Sequence, residues 1–129
     1  MIRKLSTIDY IDPEFLKAAR IKSVLELQCK KPFVLVVSGK IVGVVVCEKR
    51  GGRFWVDRFY VENVKQHLKS AYALLKEGLL GAGYNKKVFY GEIEKANPKC
   101  IDLFYKNSEV VTENGTLITF KRKFDAICI

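Results

Sequence analysis

The sequence has a single histidine, His67, and this scarcity excludes several kinds of active site. A chain with one histidine cannot build a metal centre on several imidazoles, and any Ser-His-Asp triad would have to use His67 itself. The four cysteines, Cys29, Cys47, Cys100 and Cys128, are scattered, without the short paired spacing typical of zinc sites. The sequence therefore argues against a bound metal and against a histidine-activated nucleophile.

Long apolar segments are missing as well. No apolar run approaches the roughly 20 residues needed to cross a bilayer, and residues 1–5 become polar too quickly for a secretory signal. We therefore expect a cytoplasmic protein with no membrane partner, whose cysteines stay reduced.

What the sequence does have is a globular composition with a strong excess of positive charge. Hydrophobic residues make up 49% of the 129 residues and charged residues 29%, which predicts one domain over residues 1–129. Twenty-three Lys and Arg against fourteen Asp and Glu leave a net charge of +9. This excess favours an anionic partner, such as nucleic acid or a phosphorylated cofactor, although lysines also serve simply to solvate a surface. The basic residues are spread along the chain, so a nucleic-acid-binding arm is not indicated.

Hydrophobic periodicity in the first half predicts strands and one helix. A short strand at residues 1–5 precedes a helix that Asp12 caps, with Pro13 at its first position, and that runs to about Leu27. Runs of β-branched and aromatic residues separated by glycine turns then predict three antiparallel strands at residues 33–37, 41–46 and 54–61.

The second half begins with a longer helical period. Apolar residues from Val64 to Ala82 recur every three or four positions, and glycines 81 and 83 mark the end of that helix. A strand at residues 87–93, a helix at 98–106 and two strands around a turn at 114–115 follow. The predicted order is β-α-βββ-α-β-α-ββ, an α/β fold with a single mixed sheet.

Four short segments, found in one particular order, carry a family resemblance. They are the hairpin at residues 37–43, the strand end at residues 59–61, Gln66 five residues later, and Asn97 ahead of Leu103. They are similar, in turn, to the dGkivG hairpin, the end of the central strand, the start of the Q/R-x-x-G-x-G/A motif and the N-x-x-A-x-x-L-Y block of the GNAT superfamily of acyl-CoA-dependent N-acetyltransferases. Over nearly its whole length the chain resembles a divergent member of that superfamily.

The resemblance implies acetyl-CoA as the co-substrate, without a metal, and direct transfer of the acetyl group to a primary amine of an unknown acceptor. Acetyl-CoA would lie where the central strand and the next strand splay apart, and amides near Tyr60 and Val61 would hold its pantetheine arm. The pyrophosphate would lie at a helix N-terminus, which offers unpaired N–H groups and a partial positive charge. The residues implied at this motif loop are Gln66, Lys69, Ser70 and Ala71. Asn97 would contact CoA, or would only cap the last helix.

The motif loop departs from the family pattern at Lys69, where the family has glycine. Without glycine the segment is typical of ordinary helix, with Asn63 as its cap. Lys65 and Lys69 favour an anion site, because a cation in the first turns of a helix costs roughly 0.3–1 kcal/mol that an anion would offset. The alternative is that both lysines simply face solvent.

Candidate catalytic residues are an acidic base and a tyrosine acid. Asp57 on the central strand is the first choice for the base, ahead of Glu62 and Glu92, and the alternative is that it only pairs with a neighbouring basic residue. The resemblance implies a tyrosine that protonates the leaving thiolate. Tyr105 lies one residue beyond that family position, which Phe104 occupies, and one residue is about 100° around a helix. An aromatic residue without a catalytic role is the alternative for Tyr105.

Two functions follow from these residues. One is an N-acetyltransferase. The other is a catalytically inactive protein of the same fold that binds nucleic acid or a partner protein. The missing glycines and the displaced tyrosine favour the second, and residues 97–110 are also similar to degenerate GNAT-like internal virion proteins of tailed phages. Binding of acetyl-CoA discriminates between the two, because a fold can outlast its activity.

Overall fold

A mixed sheet with the strand order β1-β2-β3-β4-β5-β7-β6 forms the centre of the fold. The computed structural model describes residues 1–64, 66–84, 88–94, 109–114 and 117–123. Within these ranges the strands are β1 (Ile2–Lys4), β2 (Phe33–Val37), β3 (Lys40–Arg50), β4 (Arg53–Val61), β5 (Val88–Glu94), β6 (Glu109–Asn114) and β7 (Leu117–Lys123). The helices are α1 (Pro13–Ala18), α2 (Val24–Cys29) and α3 (Leu68–Gly81). The predicted helix at residues 98–106 lies outside the described residues.

All neighbouring strands pair antiparallel except β4 and β5, which are parallel. The α/β fold class and the three-strand meander predicted from the sequence are confirmed. The two turns of the meander explain its register. Ser38 and Gly39 have φ angles of 52° and 75°, and Gly51 and Gly52 have 55° and 77°. Two-residue turns with positive φ at both positions match the twist of the strands that they join.

The core lies on both faces of the sheet. On one face, α3 buries Leu74, Leu75 and Leu79 against β2, β3 and β4. Gly78 allows this close approach, because a Cβ atom there would lie 2.7 Å from Cγ1 of Val45. On the other face, α1 and α2 bury a second cluster that includes Phe15 and Leu27. Strands β2, β3 and β4 therefore lie between α3 and the α1–α2 pair.

The single helix predicted from Pro13 to Leu27 is wrong, because the chain forms two short helices there. Asp12 does cap α1, as predicted, by accepting a hydrogen bond from the Glu14 amide at 2.9 Å. Arg20 then adopts a left-handed conformation with φ 58°, which ends α1 without a glycine. Ser23 starts α2 by accepting from the Glu26 amide at 3.1 Å.

Candidate functional site

Strands β4 and β5 pair over only a short stretch. Their parallel register runs from Phe54↔Phe89 to Val56↔Gly91, over three residue pairs. Both strands continue beyond this point, to Val61 in β4 and to Glu94 in β5. In the part of the chain that the structure describes, the second half of β4 therefore has no β5 partner, and its edge on that side is open.

A β-bulge lies where this pairing stops. Val46 of β3 is opposite Arg58, but the next residue, Cys47, is opposite Val56, so Asp57 is an extra residue in β4. Bulges bend a strand and re-aim its side chains. Here Asp57 and Arg58, although consecutive, both line the cavity on the α2 side of the sheet.

Beyond the bulge, the backbone N–H and C=O groups of successive β4 residues point alternately to the two edges of the strand. The Glu62 amide donates to the carbonyl of Val42 in the direction of β3, at 2.8 Å. In an antiparallel pair the direction reverses at each residue, so the N–H and C=O groups of Tyr60 point to β3. Those of Phe59 and Val61 point to the open edge. The Tyr60 ring packs on Phe15, with the ring centroids 5.4 Å apart.

Of the two residues implied for the pantetheine arm, Val61 thus has its backbone groups on the open edge and Tyr60 does not. Sequence reasoning missed Phe59, which shares that edge. The edge that a residue's backbone groups face depends on the pairing register of the strand, and the residue types do not reveal that register.

Helix α3 starts later than predicted. We expected helix from Val64 with Asn63 as its cap, and this is wrong. Asn63 adopts φ 48°, and its carbonyl accepts from the Gln66 amide at 2.9 Å, so a turn precedes the helix. The helix begins at Leu68 with His67 at the N-cap position, and the His67 side chain makes no capping hydrogen bond. The side chain at the N-cap position therefore satisfies none of the first amides of α3.

The residues implied at the motif loop occupy different environments. Lys69 is exposed in the first turn of α3, and Ser70 beside it is half-buried. Ala71 is fully buried under the helix, and its amide donates to the His67 carbonyl at 2.8 Å. Gln66 is exposed, in the turn before the helix. Lys69 and Ser70 thus lie in the first turn of α3, at its N-terminal end, whereas Ala71 is part of the core.

Three residues named from the sequence, Lys65, Asn97 and Tyr105, lie outside the described residues, and the Glu92 side chain is likewise not described. Their roles stay predictions. The second candidate for the base, Glu62, is described, and its carboxylate lies 3.8 Å from Nζ of Lys40.

A cavity of about 390 Å³ lies between α2 and the face of β3 and β4. Asp57 is at its floor, with a side chain that is only 19% exposed. Its Oδ1 accepts from Nη2 of Arg50 at 2.6 Å, and Arg50 also contacts Glu48 through Nε at 2.8 Å. Its Oδ2 is buried and has no hydrogen-bond partner in the described part of the chain. Asp57 therefore has one oxygen paired with Arg50 and a second that is shielded from solvent.

The surroundings of Asp57 raise its pKa to about 6. Burial is the main cause of the raised pKa, and the neighbouring Glu48 carboxylate adds to it, while the positive charges of Arg50 and Lys30 act in the opposite direction. The alternative predicted for Asp57, a pair with a neighbouring basic residue, is confirmed by the Arg50 contact. The two roles are compatible. A carboxyl group with a pKa near neutrality is mostly ionised at pH 7 and suited to accept a proton in catalysis.

No protein-family model matches this chain, and no curated protein does either. Solved structures do match. The PaiA N-acetyltransferase of Thermoplasma acidophilum, in complex with coenzyme A, matches with a TM-score of 0.66 at 15% identity, over 95% of this chain and 98% of that chain. A GNAT family acetyltransferase from Elizabethkingia anophelis with acetyl-CoA bound matches with a TM-score of 0.65 at 15% identity, over 95% and 97%.

The ribosomal-protein-S18-alanine N-acetyltransferase of Escherichia coli matches with a TM-score of 0.62 at 16% identity, over 96% of this chain and 93% of that chain. The resemblance seen in the sequence is therefore confirmed at the level of the fold, which is that of the GNAT acetyltransferases. Among the helices in the described ranges, none is long and apolar enough to span a bilayer.

Proposed function

We propose that the protein is an N-acetyltransferase that transfers the acetyl group of acetyl-CoA directly to a primary amine. The observation that carries this proposal is the bulge at Asp57. It combines an open strand edge with a carboxylate whose pKa is raised to about 6, in a fold whose solved examples include CoA and acetyl-CoA complexes.

The described residues fit acetyl-CoA at two places. The backbone N–H and C=O groups of Val61 face the open edge of β4, where they can pair with the amides of a pantetheine arm, as an added strand would. The His67 side chain does not cap the first amides of α3, and a helix N-terminus binds phosphate. Lys69 in the same turn adds a positive charge. When bound, acetyl-CoA supplies an acetyl group that is activated as a thioester.

Asp57 supplies the acid–base chemistry in this proposal. An amine is an ammonium ion near neutral pH and must lose a proton before its nitrogen can attack. The ionised Asp57 takes a proton from the amine and later releases it to solvent. In the net reaction a C–N bond forms and the C–S bond breaks, CoA leaves as the thiol, and one proton is released. We assign the protonation of the thiolate to Tyr105, as the resemblance implies.

Exchanging Lys69 for glutamate tests the phosphate site. We expect the unaltered protein to bind acetyl-CoA with micromolar affinity and Lys69→Glu to bind it at least tenfold more weakly, because the new charge repels the pyrophosphate. The fold should remain intact, since an acidic residue suits the first turn of a helix. Calorimetric titration with acetyl-CoA, with ATP as the comparison ligand, measures both affinities.

Lys76→Glu is the matched control, with the same charge change about two turns further along α3, and it should bind acetyl-CoA normally. Equal loss in both variants would mean that net charge alone matters. A folded protein that binds acetyl-CoA no better than ATP would exclude the acetyltransferase. It would instead favour an inactive protein that binds nucleic acid or a partner protein.

Neighbours of Asp57 should shift the pH dependence of kcat/KM in opposite directions. The rate should rise with pH as Asp57 ionises, around pH 6. Arg50 lowers the Asp57 pKa, so Arg50→Gln should move this rise to higher pH. Glu48 raises that pKa, so Glu48→Gln should move it to lower pH. Arg53→Gln is the control. Its guanidinium packs on the Tyr90 ring, 4.8 Å from the centroid, and it is not among the groups that shift the Asp57 pKa. Shifts in the same direction for Arg50→Gln and Glu48→Gln would exclude Asp57 as the group that titrates.

A further inference from the structure

The cavity that Asp57 lines carries more positive than negative charge. Its basic lining residues are Arg20, Lys22, Lys30, Arg50 and Arg58, and its acidic ones are Glu26, Glu48 and Asp57. Arg50 is engaged with Glu48 and Asp57 in one ion-paired group. Among the described lining residues outside that group, Lys22, Lys30 and Arg58 are basic and Glu26 is acidic. The cavity is therefore divided into a carboxylate region at the bulge and a positive region beside it.

Arg58 is the least exposed of the described basic residues that line the cavity. The bulge turns it to the same face as Asp57, and it is half-buried there, whereas Lys22 and Lys30 are exposed at the rim on the α2 side. For these three residues, no ion pair is formed within the described ranges. A guanidinium binds carboxylate or phosphate through two parallel hydrogen bonds, and nearby lysines strengthen the attraction for an anion.

We infer that the acceptor is a small primary amine that also carries an anionic group, a phosphate or a carboxylate. This inference rests on the proposed acetyltransferase function. The amine lies at Asp57, and the anionic group lies between Arg58, Lys22 and Lys30. A volume of about 390 Å³ is at the small-molecule end of ligand pockets, which span roughly 300–1,000 Å³. The product is the N-acetyl derivative, which keeps the anionic group, together with CoA and one proton.

A series of ω-aminoalkyl phosphates with two to six carbons tests this inference, with the corresponding amino alcohols as neutral partners. The release of the CoA thiol gives the rate. We expect kcat/KM to be at least tenfold higher for the phosphate than for the alcohol at the best chain length, because only the phosphate reaches the positive region. Matching ω-amino carboxylic acids tell whether a phosphate or a carboxylate is preferred.

Variants then locate the anion site. Arg58→Gln should raise KM for the best aminoalkyl phosphate about tenfold and leave KM for the amino alcohol unchanged, and Arg58→Lys should restore part of the loss. Lys17→Gln removes the same charge from α1, away from the cavity lining, and should change neither value.

The result that overturns the inference alone is normal acetyl-CoA binding with equal or faster acetylation of amino alcohols or of spermidine, a polycation. Equal KM changes for the charged and neutral acceptors in Arg58→Gln would also overturn it. Failure to bind acetyl-CoA would overturn the acetyltransferase proposal, and this inference with it.

Discussion

Replacement of Asp57 by asparagine should lower kcat/KM for amine acetylation about a hundred- to ten-thousand-fold, the range that a positioned general base contributes. Asparagine preserves the shape of the side chain but cannot take a proton from the amine. The loss should appear in steady-state rates measured by CoA release. Affinity for acetyl-CoA should be unchanged, since we place that co-substrate on the backbone of β4 and the first turn of α3.

Glu62→Gln is the matched control for this variant. Glu62 follows the same strand, but its carboxylate lies beside Lys40 at 3.8 Å, and the variant should keep the wild-type rate. Folding should not explain the loss in Asp57→Asn. The pKa of about 6 lies above the usual value of 3.8, so the fold disfavours the ionised carboxylate, and this group stabilises the protein less above pH 6 than below pH 4. A wild-type rate in Asp57→Asn would mean that Asp57 only pairs with Arg50 and is not the general base.

The second large effect concerns stability, at two adjacent leucines of α3. Leu79 is fully buried against the sheet, while Leu80 is 48% exposed. Leu79→Ala should lower the free energy of unfolding by about 2–5 kcal/mol, because it leaves a cavity in a packed core. Leu80→Ala should change it by less than about 0.5 kcal/mol, as is usual at surface positions. Urea denaturation monitored by the fluorescence of Trp55 measures both.

This pair tests the orientation of α3, since the two variants differ in their position on the helix and not in chemistry. Equal destabilisation, or a larger effect at Leu80, would mean that α3 presents a different face to the sheet. The position of its first turn relative to β4 would then also change, and with it the proposed phosphate site.

Much of the fold could be predicted from the sequence, because the ends of several strands and helices carry strong local signals. The glycine turns at residues 38–39 and 51–52 and the Asp12-Pro13 start of α1 are examples. The break between α1 and α2 could not be predicted, because Arg20 adopts positive φ without being glycine. The late start of α3 has the same cause at Asn63, where the backbone leaves the helical path in spite of an apolar period that continues through Val64.

The candidate site was predictable only in part. Asp57 could be identified as an acidic residue on a predicted central strand, but the bulge that turns it and Arg58 to one face is visible only in the register with β3. The charges of the cavity come from α2, from the residues that precede and follow it, and from β3 and β4. Local sequence patterns cannot bring Lys22, Lys30 and Arg58 together, because only tertiary packing does so.

The extra residue in β4 also has an evolutionary consequence. Before it, β4 is held by β5, and after it the strand offers main-chain groups that any residue type except proline can supply. Binding of a co-substrate through those main-chain groups would therefore be insensitive to most changes of sequence in β4. Side chains that face the cavity, such as Arg58, could change to suit a different acceptor. Such a division would let one scaffold acquire new acceptors by substitution on a single face of one strand.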